Sequence, residues 1–368
     1  MKVIVLGGAG AMARVALEQL AAEQSVTQVT VADYDVEGAC RMAAHWGPRF
    51  SARKVDANDM ESLKTTLAGH DVALGFIGPF YRYETPIARA CIEAEVDYVS
   101  ISDDFDAYRA VRSLHKHAED AGVTIISGLG NSPGITNILA KKGALSMDNP
   151  ERINVHWCGG SGEDVGPANI KHVMHIFSGY TPQWFDGREV LVKTGAGAKT
   201  VEFPAPIGRH RVYYTGHAES VSLPENLPDI REVTLHGGIK PNWVARFAYA
   251  CGLGGLTATP HRRDILAKLL NPALGLFATG GVDKSAFRID VFGYTKGQPR
   301  HHYYTGTGHI AAITSIPCVC GALMLARGEA GRPGVWAAEA VFEPDDFLRE
   351  IAARGVELFY YEGMQQHV

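Results

Sequence analysis

Gly7, Gly8, Gly10 and Ala13 are spaced to do one kind of chemistry. The run Gly7-Gly8-Ala9-Gly10-Ala11-Met12-Ala13 fits a G-x-G-x-x-A pattern counted from Gly8, and a slightly longer one counted from Gly7. An early glycine permits a tight exit from a strand, Gly10 admits a pyrophosphate close to the backbone, and small Ala13 lets helix and strand pack. Asp33 ends the next apolar run, at the distance where an acid accepts the ribose hydroxyls of NAD. Asp33 and neighbouring Asp35 would repel a 2′-phosphate, so NAD is favoured; NADP is the alternative, because Arg14 and Arg41 can offset that charge. Further on, Lys171 and His175 are four apart and share a face if their segment is helical, and either can move protons near neutral pH. His172 and His175 suggest a metal pair but have no evident third ligand, so no metal is expected.

The elements around these residues must hold them in place. Lys2–Leu6 reads as a strand and Arg14–Leu20 as the start of a helix, and strand and helix alternate to about Ile126. That alternation predicts an α/β fold, a Rossmann-type doubly wound parallel sheet whose ligands lie beyond the carboxyl ends of its strands. Asp56, Gly78–Tyr83, Ser102–Asp104 and Gly128–Gly134 fall on that rim with the glycine turn and Asp33. From Asn131 the texture changes to irregular segments rich in Gly, His and Tyr, which predicts a second, inserted α/β domain with a mixed sheet. Its expected strands are Arg152–Cys158, Val190–Lys193, Thr200–Phe203, Arg211–Thr215 and Ala286–Tyr294. The expected division is residues 1–130 with 316–368 for dinucleotide binding, and 131–315 for substrate binding and dimerisation.

Composition narrows the class. A chain of 368 residues with formal net charge −5 has no electrostatic footprint for nucleic acid or an anionic membrane. The six cysteines are scattered, and the first residues carry no secretory pattern, so a cytoplasmic setting is expected. The apolar stretch Ile310–Ala326 is interrupted by Thr314, Ser315, Pro317 and Gly321, which favours a buried helix over a membrane span.

Three segments together, Val3–Ala13, Gly128–Asn137 and Gly334–Glu339, resemble the saccharopine dehydrogenase-like family, with most likeness to its lysine-6-dehydrogenase branch. Ser132-Pro133-Gly134 departs from the family's usual Asp-Pro-Gly or Ala-Pro-Gly. The resemblance implies hydride transfer at a carbon bearing an amine, in an amino acid or polyamine derivative, and a homodimer. It also implies that Gly78, Pro79, Phe80 and Tyr81 form the loop beside the nicotinamide, and that Asp103 and Asp104 line the same cleft. For that chemistry, Asp103 or Asp104 would hold the ammonium and stabilise the iminium, with His175 first and Lys171 second as base. Arg288, Arg211 and Tyr83 are the expected substrate contacts, the arginines through a carboxylate. His301, His302, Tyr303, Tyr304 and His309 crowd one stretch, as a pocket lining or a subunit contact. The resulting expectation is an NAD(P)-dependent oxidoreductase acting on CH–NH or CH–NH2 groups. The alternatives are a reductase of a different carbonyl or imine compound and a non-catalytic dinucleotide sensor.

Overall fold

The computed structural model describes residues 1–163, 167–270 and 281–363. Six strands come first: β1 (Lys2–Leu6), β2 (Gln28–Asp33), β3 (Phe50–Lys54), β4 (Val72–Gly75), β5 (Asp97–Ser100) and β6 (Thr124–Ile126). Then come β7 (Asn149–Gly160), β8 (Tyr180–Phe185), β9 (Arg188–Lys193), β10 (Lys199–Glu202), β11 (Arg209–Tyr214), β12 (Glu232–Lys240), β13 (Ser285–Thr295) and β14 (Gln298–Gly308). The last two, β15 (Gly334–Trp336) and β16 (Leu358–Gly363), go one to each of two sheets.

The first sheet has seven strands in the order β15-β6-β5-β4-β1-β2-β3, all parallel. Its inner strands β1 and β4 are apolar runs buried on both faces, as parallel strands covered by crossover helices must be, while the edge strand β3 is largely exposed. The second sheet runs β10-β11-β12-β7-β13-β14-β16 with the β8–β9 hairpin attached at β12, and is mixed because β12 and β7 pair parallel. The expected fold class is therefore the observed one.

The chain forms two compact units, Met1–Ile135 with Ala311–Arg354, and Thr136–Ile310 with the residues from Gly355 on. The inner borders lie a few residues from those expected. The C-terminal segment differs more: Leu358–Gly363 was assigned with the dinucleotide domain, but it pairs antiparallel with β14 and extends the second sheet. Its Leu-Phe-Tyr-Tyr core is strand-forming, and β14 has an edge to offer it.

The helix Ile310–Ala326 is buried along most of its length, and Ser315 Oγ donates to the carbonyl of Met12 at 2.7 Å. Among the described residues, no helix is long and apolar enough to cross a membrane. The helix after β4 starts at Phe80 and runs to Glu93. Pro86 thus sits inside the helix rather than in its first turn, and Arg82's carbonyl forgoes a bond.

Candidate functional site

The glycine turn has the form its spacing requires. Gly7 and Gly8 both donate to the carbonyl of Ala32, at 2.8 and 3.1 Å, which folds the strand exit against β2. Gly7 has φ +82°, and a Cβ there would lie 2.9 Å from the backbone of Phe76, so no other residue fits unstrained. Gly10 caps the helix Ala11–Ala22 without a side-chain hydrogen bond, while Gly10 and Ala11 are exposed and Ala13 is buried. The first-turn N–H groups of Ala11, Met12 and Ala13 are thus open to an anion at the positive end of the helix. Asp33 braces the turn: its Oδ2 accepts from Ala9 N at 3.0 Å and its Oδ1 from Asp35 N at 3.0 Å. Each oxygen keeps a further lone pair for a ribose hydroxyl. These residues fit a dinucleotide.

The other rim residues are tied into one another. Asp56 accepts from the backbone N–H and the side-chain amide of Asn58, both at 2.9 Å, which lowers its pKa and makes it a turn-former at the end of β3. Asp104 is fully buried, and its Oδ2 accepts from Tyr81 N at 3.0 Å. That bond anchors the first turn of the helix after Gly78-Pro79 to the loop after β5. Asp104 is thus a tether, and Asp103, half-buried, is the more accessible of the two acids. Tyr83 faces a shallow recess with Asn58, Met60 and Arg82, whose guanidinium lies over its ring.

In the second unit, strand alternation decides what can meet. Tyr214, His236, His156 and Arg288 stand in register across β11, β12, β7 and β13, and so share one face. Arg211 is an odd number of residues from Tyr214 and belongs to the opposite face, so Arg211 and Arg288 cannot grip one carboxylate together. Arg288 is occupied as well. Its Nε and Nη2 bond both oxygens of Asp290, at 2.9 and 2.7 Å, and its guanidinium lies 4.1 Å from the Tyr303 ring centroid. His301 Nε2 reaches the same carboxylate at 2.7 Å, and His156 Nδ1 lies 3.4 Å from it. The expected substrate arginine is therefore a structural one, because an acid two residues along the same strand claims it.

Burial pushes His156 down to about 4, with Lys199 and Arg288 adding to the shift against the pull of Asp290. Burial likewise pushes His236 down to about 2, helped by Lys199 and His156. In the unfolded chain both titrate near 6.5. Below that value the unfolded state binds more protons, so stability is lost as pH falls from about 6.5 toward 4. Urea midpoints measured between pH 7.5 and 4.5 are expected to show a loss on the order of 3 kcal/mol from His156 alone. His156→Phe should flatten the profile; a wild-type profile already flat down to pH 5 would contradict this.

The two expected bases lie on the helix Pro167–Ile176, which packs with Trp157 and Tyr213 on the face opposite Arg288. Both have partners: Lys171 Nζ meets Asp264 Oδ1 at 2.6 Å, and Arg263 donates to Nδ1 of His175. Guanidinium only donates, so neutral His175 carries its proton on Nε2. Two residues of the same unit escaped the sequence reading. His217 is buried, stacks on Trp157 with planes 3° apart, and lies 5.4 Å from the His172 ring. Glu219 is fully buried and accepts from Thr136 Oγ1 at 2.9 Å. The one available signal was their spacing, His-x-Glu at the end of an expected strand.

With this geometry established, comparison with known proteins gives a consistent result. Residues 3–126 match the family model for the saccharopine dehydrogenase NADP binding domain. Carboxynorspermidine synthase of Vibrio cholerae is 23% identical, over 84% of this chain and 82% of its own. Carboxyaminopropylagmatine dehydrogenase of Synechocystis sp. is 22% identical, over 97% of this chain and 96% of its own. Among solved structures, apo saccharopine dehydrogenase (L-Glu forming) of Saccharomyces cerevisiae superposes with TM-score 0.70 at 18% identity, covering 98% of this chain and 99% of that one. These relatives are not lysine dehydrogenases, and the expected branch gains no support from them. Residues 3–126, with the first sheet and its glycine turn, therefore form an NAD(P)-binding domain of the kind the matching model describes, and the whole chain has the fold of saccharopine dehydrogenase.

Proposed function

We propose that this chain transfers hydride between a nicotinamide and the amine- or imine-bearing carbon of a carboxylated amine, in the manner of a reductive condensation between an amine and a carbonyl compound. The observation that carries the reading is similarity, over 84% and 97% of this chain, to two enzymes whose names denote carboxylated polyamines, in a chain whose glycine turn is built for a dinucleotide. The cofactor supplies the two-electron donor or acceptor. The protein supplies the rest. Asp103 provides negative charge at the strand-end rim, suited to a cationic amine. Trp157 offers a flat aromatic surface beside His217. Proton transfer falls to the imidazoles of this unit, His175 on the helix Pro167–Ile176 and His172 and His217, whose rings lie 5.4 Å apart. NAD is the preferred cofactor because Asp33 faces the ribose position, although the matching family model is described for NADP. Five buried free thiols suit a reducing, cytoplasmic setting. The exposed aromatics Phe359, Tyr360 and Tyr361 on the edge strand β16 suit a homodimer contact.

The test is absorbance at the reduced-nicotinamide band, with both cofactors and in both directions, against amino acids, opines, and polyamines paired with short aldehydes. Cofactor oxidation dependent on both an amine and a carbonyl compound is the expected result. Turnover of a carbonyl compound without any amine would replace this reading with a simple reductase, and tight NADH binding without turnover would favour a sensor.

A further inference from the structure

Glu84 is fully buried in the NAD(P)-binding unit, and three hydroxyl groups converge on it. Ser100 Oγ and Ser127 Oγ donate to its Oε1 at 2.5 and 3.0 Å, and Tyr98 Oη donates to its Oε2 at 3.0 Å. Room for this arrangement is made by Gly75, where a Cβ would collide with the Tyr98 phenol. Burial raises the pKa of Glu84, the three hydroxyls pull it back, and nearby Asp104 raises it further. A carboxyl group here is a poor way to gain stability, since an apolar residue of similar size avoids the desolvation cost. The groups it joins suggest another purpose.

Glu84 belongs to the helix whose first turn holds Phe80 and Tyr81, Ser100 ends β5, and Ser127 follows β6. Ser100 Oγ also accepts from Ser102 N at 3.4 Å, and the carbonyl of Ser100 accepts from Leu129 N at 2.7 Å. One carboxyl group therefore links the three loops that leave β4, β5 and β6. In a doubly wound sheet the glycine turn serves one mononucleotide half, and the strands beyond β4 carry the crevice of the other.

We propose that Glu84 is a positioning residue for the nicotinamide half of the cofactor, holding the loops after β4, β5 and β6 in one arrangement through its hydroxyl partners. The proposal rests on this unit's binding NAD(P). Calorimetric dissociation constants for NADH and for ADP-ribose, which lacks the nicotinamide, separate the two questions in the full chain. Glu84→Ala is expected to weaken NADH about tenfold or more while leaving ADP-ribose within about twofold. Glu84→Gln keeps an amide oxygen for both serines and presents its NH2 to Tyr98, so it should bind NADH within about threefold of wild type. A folded Glu84→Ala protein whose NADH to ADP-ribose ratio matches wild type overturns the proposal, and so does equal weakening of both ligands. If Glu84→Ala gives no cooperative melt, Ser127→Ala decides in its place. Removing that one donor should weaken NADH alone by about threefold, and an unchanged ratio rejects the idea. Wild-type protein that binds neither ligand would instead refute the domain assignment, and the proposal with it.

Discussion

Asp290→Ala is expected to destabilise the second unit by about 3–5 kcal/mol, the cost of breaking a buried ion pair by removing one partner. Asp290 is only 5% exposed and receives both the Arg288 fork and His301, with His156 beside it. Burial alone would raise its pKa; the imidazoles of His156 and His301 and the Arg288 guanidinium outweigh that and hold the carboxyl well below the usual range. Without the carboxylate, Arg288 keeps its charge in a largely enclosed site, beside the Tyr303 ring and the Glu202 carbonyl. Asp290→Asn should cost less, because the amide oxygen still accepts one of these bonds. Chemical denaturation followed by near-ultraviolet signals, to which Trp157 and the tyrosines of β14 and β16 contribute, would measure both. A loss below about 1 kcal/mol for the alanine variant would mean that solvent reaches the pair and screens it.

Asp33→Ala should weaken NAD binding by roughly 10–100-fold, the value of hydrogen bonds to a charged group, and bring NADP closer to parity. Two effects combine in that variant, because Asp33 also braces the turn through Ala9 N. Asp33→Asn separates them. Its amide oxygen can still accept from Ala9 while the charge that repels a 2′-phosphate is gone, so NAD affinity should fall less and the NAD to NADP ratio should still drop. Titration with each cofactor measures the ratio directly. A ratio unchanged in both variants would place the discrimination elsewhere, with Arg14 or with Arg41, whose guanidinium lies 3.8 Å from Asp35.

Where the determinants are local, the sequence could be read almost to the residue. The helices Val36–Trp46 and Met60–Leu67 start where they do because Asp35 and Asp59 cap them from the adjoining position. The second sheet was harder to read, for identifiable reasons. Strand β12 contains Gly237-Gly238, which suggests a turn, yet Gly237 is small because the Trp157 indole lies against it from the neighbouring strand. Strand β14 carries His301-His302-Tyr303-Tyr304, with no alternation of polar and apolar residues to mark it. The structure sorts them by parity: His301 and Tyr303 go with Asp290 and Tyr361, and His302 and Tyr304 with Tyr360. The crowding noted in the sequence is thus the two sides of one strand. The glycine turn and Asp33 were legible because a dinucleotide site is a contiguous motif. Glu84, His217 and Glu219 belong to no motif, and their neighbours Ser127, Trp157 and Thr136 come from distant parts of the chain.

Residue 12 waits for residue 315. The Met12 carbonyl is met by Ser315, and β6 gains its outer neighbour β15 only through Gly334–Trp336. A nascent chain emerging from the ribosome with β1 to β6 complete would still present β6 as an open edge and lack the apolar helix Ile310–Ala326, while the whole intervening unit was being synthesised. The cofactor domain therefore starts to be translated before the second unit and is finished only after most of that unit has been made, and NAD(P) cannot help to fold it until Gly334–Trp336 has emerged.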